Sequence, residues 1–135
     1  EAIDVVDLTN QFNSHKAESA SKHIAESGSN ANGSYIKFDD GTMICTSDVV
    51  LNSASITTTM GSLYRSTVGV TITFPATFIG VPSLSIETYT GTASYTFPII
   101  SSTGVTTTYA GAIVASPVSQ TANVTFKTIA IGRWK

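Results

Sequence analysis

The residues that most often carry enzymatic chemistry are few in this chain and lie apart in the sequence. Among 135 residues there are one cysteine and two histidines. A serine or cysteine nucleophile needs a nearby histidine as its base. His15 and His23 lie in the amino-terminal segment, whereas Cys45 follows Ile44 on a predicted strand and fits a small buried hydrophobic residue. The pattern predicts no catalytic triad and no metal site within one chain.

Paired carboxylates, the other common catalytic device, are also scarce. Glycoside hydrolysis requires two carboxyl groups across a cleft. Glu87 is the only acidic residue after Asp48, and its partner would have to be Asp39, Asp40 or Asp48. The first two fit better in a hairpin turn, and no glycine loop of the phosphate-binding type occurs. We therefore predict a binding or structural protein, with no catalytic residue and no cofactor.

The composition narrows the partners. Charged residues make up only 12% of the chain, about half the usual share, and the net charge is −2. No basic patch is visible, so we expect no nucleic acid partner. No apolar run is long enough for membrane insertion, and there is no signal peptide. Because the chain begins at Glu1 rather than Met, we expect a fragment or processed product made in a cytoplasm without a secretion signal.

Tyrosines near turns are the best candidates for binding a sugar, since an aromatic face can stack on the apolar side of the ring. Tyr64 and Arg65 follow the Gly61-Ser62 turn, and Tyr89 precedes the Thr90-Gly91 turn. Tyr95 shares a strand parity with Phe97, so we expect it in the core. The candidate ligand-binding residues are Tyr64, Arg65, Tyr89 and Tyr109.

The elements that position these residues begin with a helical segment. Residues 1–27 contain neither Gly nor Pro and carry two apolar stripes at helical spacing, Val5, Leu8 and Phe12, then Ala17, Ala20 and Ile24. Asn13-Ser14 separates the stripes, which predicts one interrupted helix or two short helices. Ser27-Gly28 suits a helix end, and 29–33 suits a linker.

So narrow a stripe cannot hold a helix alone, and it must pack either on its own domain or on copies of itself. We predict a coiled-coil stalk segment over residues 1–29, with Val5, Leu8, Phe12 and Ile24 at a trimer interface. Three copies of His15 meeting on the axis, holding an ion or anion, are an alternative to solvated histidines.

From residue 30 onward the sequence is typical of strands. Asn32 to Cys45 predicts a hairpin with its turn at Asp39-Asp40-Gly41, because Gly supplies positive φ. Val68 to Phe74 alternates apolar and polar residues, with prolines bounding later strands. Short strands without intervening helices predict a mainly β domain, an antiparallel sandwich or barrel, over residues 30–135.

The last strand breaks the alternation. Val124 and Phe126 have one parity, whereas Ile129 and Ile131 have the other. Either a bulge lies near Lys127-Thr128, or both faces are covered, and an oligomer would supply the second cover. We predict Ile129 and Ile131 at the trimer interface.

Three sequence blocks resemble the carboxy-terminal domains of bacteriophage tail fibres. They are Asn32–Cys45, Thr73–Phe78 with Val81-Pro82-Ser83, and Ile129–Trp134, in that order. The resemblance implies a small β-sandwich similar to the H-type lectin fold, which trimerises at the fibre tip and attaches to a host surface. It assigns no binding residues, because the receptor contacts of the family vary.

The resulting prediction is the receptor-binding tip of a phage or phage-like tail fibre, located in the virion and binding a bacterial cell-surface polysaccharide or glycan. Two alternatives remain: a free-standing secreted lectin of H-type, and a structural fibre module without a ligand.

Overall fold

A computed structural model of the chain describes residues 4–18, 23–91 and 95–135. These contain one helix and nine strands, and every strand pair is antiparallel. The prediction of a mainly β, antiparallel fold with an amino-terminal helix is confirmed. The elements are α1 (Val5–Glu18), β1 (Ile24–Asn30), β2 (Gly33–Phe38), β3 (Thr42–Met60), β4 (Leu63–Ser66), β5 (Val70–Thr73), β6 (Ser83–Thr90), β7 (Phe97–Val105), β8 (Tyr109–Ser116) and β9 (Gln120–Arg133).

Helix α1 is capped but its apolar stripe is uncovered. The Asp4 carboxylate accepts a hydrogen bond from the Val6 N–H at 2.9 Å, satisfying a free donor of the first turn. Every described side chain from Asp4 to Ala17 is exposed in the single chain, including Val5 at 74% and Phe12 at 64%. The alternative in which this stripe packs on its own sheet is therefore wrong. α1 is also too short and polar to cross a membrane, and no other helix occurs in the described ranges.

The prediction of helix beyond α1, followed by a linker, is wrong for residues 24–30. Ala20 lies outside the described residues, and Ile24 is the first residue of β1 rather than part of a helical stripe. β1 pairs with β2 from Ile24–Phe38 to Asn30–Gly33, so its backbone groups are satisfied by the sheet. A tight turn at residues 31–32 takes the place of the linker. The domain boundary at residue 30 stays a prediction.

The predicted hairpin of β2 and β3 is confirmed. Gly41 has φ +91°, a backbone conformation that favours glycine, and its N–H donates to the Phe38 carbonyl at 3.0 Å. The Asp40 carboxylate accepts a hydrogen bond from the Thr42 N–H at 2.8 Å. That bond is the main reason why the pKa of Asp40 is below its ordinary value. The turn residues are thus occupied in holding the hairpin.

The strands divide into two groups that share β3. The first group runs in the order β1-β2-β3-β9-β6, and in the second β8 pairs with β4, β5 and β7. The register of β3 against β9 shifts between Leu51 and Ala54, where Ser53 has φ +50° and its N–H bonds to the Asn123 side chain at 2.7 Å. Past this irregularity β3 pairs with β4, which leads into the second group.

The main core lies between the two groups. Its fully buried members from the first group are Ala54 and Ile56 of β3 and Val124 and Phe126 of β9; those from the second are Ile72 of β5 and Ala112 and Val114 of β8. These strands keep one face to the core, as their two-residue alternation predicts. The H-type lectin sandwich itself stays a prediction.

Strand β9 has no bulge near Lys127-Thr128. Its register against β6 is continuous from Val124 to Ile131, and Thr128 and Ala130 continue the buried face of Val124 and Phe126. The alternation appeared broken because the core positions after Phe126 carry small residues. Ile129 and Ile131 consequently lie on the opposite face, 49% and 46% exposed.

The three blocks that resemble tail fibres meet in a second core. It contains Met43 and Cys45 of the first block, Phe74 and Phe78 of the second, and Ala130 of the third. The rings of Phe74 and Phe78 pack edge to face with centroids 5.4 Å apart. Burial raises the pKa of the Cys45 thiol, as expected for a packing residue. These five residues of the blocks therefore build the core of the domain.

Candidate ligand-binding surface

The structure does not bring the four predicted ligand-binding residues together. Tyr64 packs against the main core, and Arg65 faces the other side of β4 beside Ala115. The Arg65 Nη1 lies 3.5 Å from the Ser66 carbonyl oxygen. Because Tyr64 and Arg65 are adjacent in a strand, their side chains lie on opposite faces of β4.

Tyr109 is the first residue of β8 and belongs to the turn before it. Its N–H donates to the Thr106 Oγ1 at 3.1 Å, and its carbonyl accepts from the Thr106 N–H at 2.8 Å. Tyr64 pairs with Ser116 at the other end of β8, so Tyr64 and Tyr109 are separated by roughly 20 Å along the strand. One ligand of monosaccharide size cannot contact both.

Tyr89 is the predicted residue best placed for a ligand. It lies on the exposed face of β6, 49% exposed, with the Lys127 Nζ 5.9 Å from its ring centroid. Tyr95, expected in the core, is 80% exposed instead, because it precedes β7 and is not held by its pairing.

The face of the first strand group turned away from the core is here called the outer face. Its side chains lie in rows set by the strand register, and directly opposed residues have Cβ atoms about 5 Å apart. One row is apolar and runs Ile36, Ile44 and Ile131 across β2, β3 and β9. The next row runs Thr46, Ile129 and Ser85 across β3, β9 and β6.

A third row on the outer face is charged. Asp48 of β3 and Glu87 of β6 both pair with Lys127 of β9, which stands between them. The Lys127 Nζ lies 3.5 Å from the Asp48 Oδ2, and both side chains are half exposed. The Glu87 side chain has no hydrogen bond or ion pair within the described ranges of the chain. Its carboxylate therefore points to solvent with free acceptor sites.

These rows enclose a shallow groove of about 250 Å³, here called the β3–β9–β6 groove. It is lined by Thr46, Asp48, Ser85, Glu87, Lys127, Thr128 and Ile129. The sequence did support Glu87 and Asp48 as a possible carboxylate pair, and the structure places them across one strand from each other. It could not show that β9 lies between their strands, because that pairing joins distant parts of the chain.

In a second charged cluster, on β1 and β2, the polar side chains bind one another. The Tyr35 hydroxyl donates to the Glu26 Oε1 at 2.5 Å, and the Lys37 Nζ lies 3.0 Å from the Oε2. These bonds, that from Tyr35 first, hold the pKa of Glu26 below its ordinary value, and the same bond raises the pKa of Tyr35. Trp134 completes the cluster, with its Nε1–H donating to the Phe38 carbonyl at 2.9 Å. It joins β1, β2 and the end of the chain.

The two histidines do not follow one helix. His23 lies outside α1, and its ring centroid is 5.5 Å from that of His15, closer than two helical turns. No cluster of three or more His, Cys, Asp or Glu suited to a metal ion occurs within residues 4–18, 23–91 and 95–135.

Solved structures with a similar fold are tail fibres of R-type pyocins. The structure of the P. aeruginosa R1 pyocin fibre comprising its C-terminal residues matches 97% of this chain with a TM-score of 0.60 and 14% identity, and this chain spans 32% of it. An N-truncated R1-type pyocin tail fibre matches with the same TM-score and identity, over 97% of this chain and 98% of that one. An N-truncated R2-type pyocin tail fibre matches 98% of this chain with a TM-score of 0.55 and 17% identity, and this chain spans 52% of it.

No protein-family model and no curated protein matches the chain. At these identities the similarity establishes a shared fold. The resemblance to tail-fibre carboxy-terminal domains is thus confirmed for the fold, over nearly the whole chain.

Proposed function

We propose that this chain is the receptor-binding domain at the tip of a tail fibre, in a phage or phage-like particle, and that it attaches to a glycan of the bacterial surface. The observation that carries the proposal is the fold shared with pyocin tail fibres over 97–98% of the chain. On this proposal the protein is made in the host cytoplasm and resides in the virion.

The apolar surfaces of the single chain support assembly as a trimer. The helix leaves Val5, Leu8 and Phe12 exposed, which is costly unless copies of the chain cover them. The row of Ile36, Ile44 and Ile131 gives the outer face a continuous apolar strip. A closed cyclic trimer would cover both surfaces with one symmetry axis.

The geometry of the charged row supports binding rather than catalysis. Asp48 and Glu87 stand on either side of Lys127, so the lysine side chain lies where a scissile glycosidic bond would have to pass. The groove is open, and a general acid usually works in a shielded pocket. We therefore propose that the protein is not an enzyme.

Two experiments test the proposal: light scattering tests the assembly, and binding to whole cells tests the receptor. Light scattering on the purified chain should give about three times the monomer mass. Ile131→Asp should dissociate the trimer because it places a charge on the apolar row, whereas Val68→Asp, which changes an exposed residue outside the strands, should not.

Fluorescently labelled trimer is then applied to a panel of bacterial strains and to mutants lacking surface polysaccharide. We expect binding that disappears with the polysaccharide. Unchanged binding to those mutants would exclude a glycan receptor, and a folded trimer that binds no strain would favour the structural fibre module.

A further inference from the structure

We infer that the β3–β9–β6 groove is a subsite for one uncharged hexose unit, which it recognises through adjacent hydroxyl groups of the sugar ring. The inference rests on the proposed function and deepens it by naming the place and the chemical class of the ligand. Apart from Thr128, whose side chain lies on the buried face of β9, the residues lining the groove lie outside both hydrophobic cores.

The groove has the dimensions of a single sugar. Its floor is β9, and its two sides are β3 and β6, whose backbones are separated by two strand spacings, about 10 Å. A volume of about 250 Å³ lies just below the range of pockets for larger small molecules, roughly 300–1,000 Å³.

Polar and apolar groups are distributed in the groove as a pyranose ring requires. Glu87 offers two carboxylate oxygens without a protein partner, and adjacent hydroxyls of a hexose can donate to both. The Ile129 side chain, which lies between Thr46 and Ser85, offers an apolar contact for the ring carbons. The inference thus assigns Ile129 to the groove and leaves Ile131 as the β9 residue of the proposed trimer interface. The hydroxyls of Thr46 and Ser85 can each donate or accept.

The charges select against acidic sugars. Asp48 already holds the ammonium of Lys127 at 3.5 Å, so the unpaired charge of the row is the carboxylate of Glu87. An anionic ligand would meet this carboxylate and gain little from a lysine that is already paired. A neutral hexose avoids this repulsion.

Methyl-detected NMR with labelled isoleucine tests the inference on the full chain. Ile129 reports from the groove, Ile131 from the neighbouring apolar row, and the buried Ile72 serves as an internal reference. The probes are the methyl glycosides of glucose, galactose and mannose, each matched with its uronic acid. A ligand of this size is expected to bind with a dissociation constant in roughly the millimolar range.

We expect at least one neutral hexoside to shift the Ile129 signal saturably, leaving Ile72 unmoved, and its uronic acid to bind several-fold more weakly. Glu87→Gln should weaken the binding roughly tenfold, because it replaces a charged acceptor. Asp39→Asn makes the same charge change at the hairpin turn, outside the groove, and should leave the affinity unchanged.

Three results would overturn the inference: no saturable shift at Ile129 with any neutral hexoside, tighter binding of the uronic acids, or equal effects of the two variants. The outcome is separable from that of the proposed function. Trimer that binds cells while Glu87→Gln leaves cell binding and the Ile129 titrations unchanged would sustain receptor binding and place it elsewhere on the molecule.

Discussion

The β2–β3 turn offers a direct test of how a single glycine limits this fold. Gly41 has φ +91°, and a Cβ built there would meet the Arg133 guanidinium and, at 2.9 Å, the Lys135 carbonyl oxygen. The guanidinium can swing away. The carbonyl is held close, because the Trp134 N–H donates to the Gly41 carbonyl at 2.9 Å. We therefore expect Gly41→Val to be strongly destabilising.

Gly61 is the matched control, since it separates backbone strain from overlap. It lies in the turn between β3 and β4 with φ +62°, and a Cβ there would meet nothing within 4 Å. Gly61→Val should cost about 1–3 kcal/mol from positive φ alone. Gly41→Val should cost about 2 kcal/mol more, the usual penalty of overpacking.

Thermal unfolding of both variants at one protein concentration measures the difference, which avoids effects of assembly on Tm. At about 4 °C per kcal/mol, Gly41→Val should melt about 8 °C below Gly61→Val. Equal melting temperatures would refute the close approach of the chain end to the turn. Two variants as stable as the parent would refute the positive φ at both glycines.

Two further predictions concern the acidic residues. Purified protein should release no reducing ends from host polysaccharide, and sustained release that is lost in Glu87→Gln would show that the chain is an enzyme after all. The pKa of Glu26 is lowered in the folded state by its bonds to Tyr35 and Lys37. These bonds therefore stabilise the protein at pH values above 4.5, the ordinary pKa of the carboxyl group, and their contribution is lost as the pH falls below that value. The Tm difference between the parent and Glu26→Gln should therefore shrink as the pH is lowered from about 6 to about 3, and a constant difference would show that Glu26 contributes no pH dependence.

The parts of the fold that were predicted correctly are those with a local cause. The turn at Gly41 follows from the positive φ that glycine adopts, and helix α1 was indicated by the spacing of Val5, Leu8 and Phe12. Neither signal depends on distant parts of the chain. Strand β1 has no such local cause. Its side chains are mostly exposed, so it shows no alternation, and it is a strand because β2 offers an edge with which to pair.

The same distinction applies to the candidate site. The Thr90-Gly91 turn signal led us to predict Tyr89 near a loop, where an exposed side chain is expected, and Tyr89 is 49% exposed. The groove depends on β9 lying between β3 and β6, and a pairing between distant segments leaves no periodic signal in either one. Ile129 was singled out by its parity, but its neighbours across the strands could not be named.

The position of β9 also determines when the protein can fold. Thr42 at the start of β3 pairs with Arg133 at the end of β9, and β6 finds its partner in the same late strand. Such distant contacts close slowly, so on the ribosome the β1–β2–β3 meander can form early while Ala54 and Ile56 wait for Val124 and Phe126. During synthesis β3 and β6 present unpaired edges, the surfaces most prone to aggregation and chaperone capture. A nascent chain interrupted before Gln120 would lack the strand that joins both, and we expect it to be degraded rather than assembled.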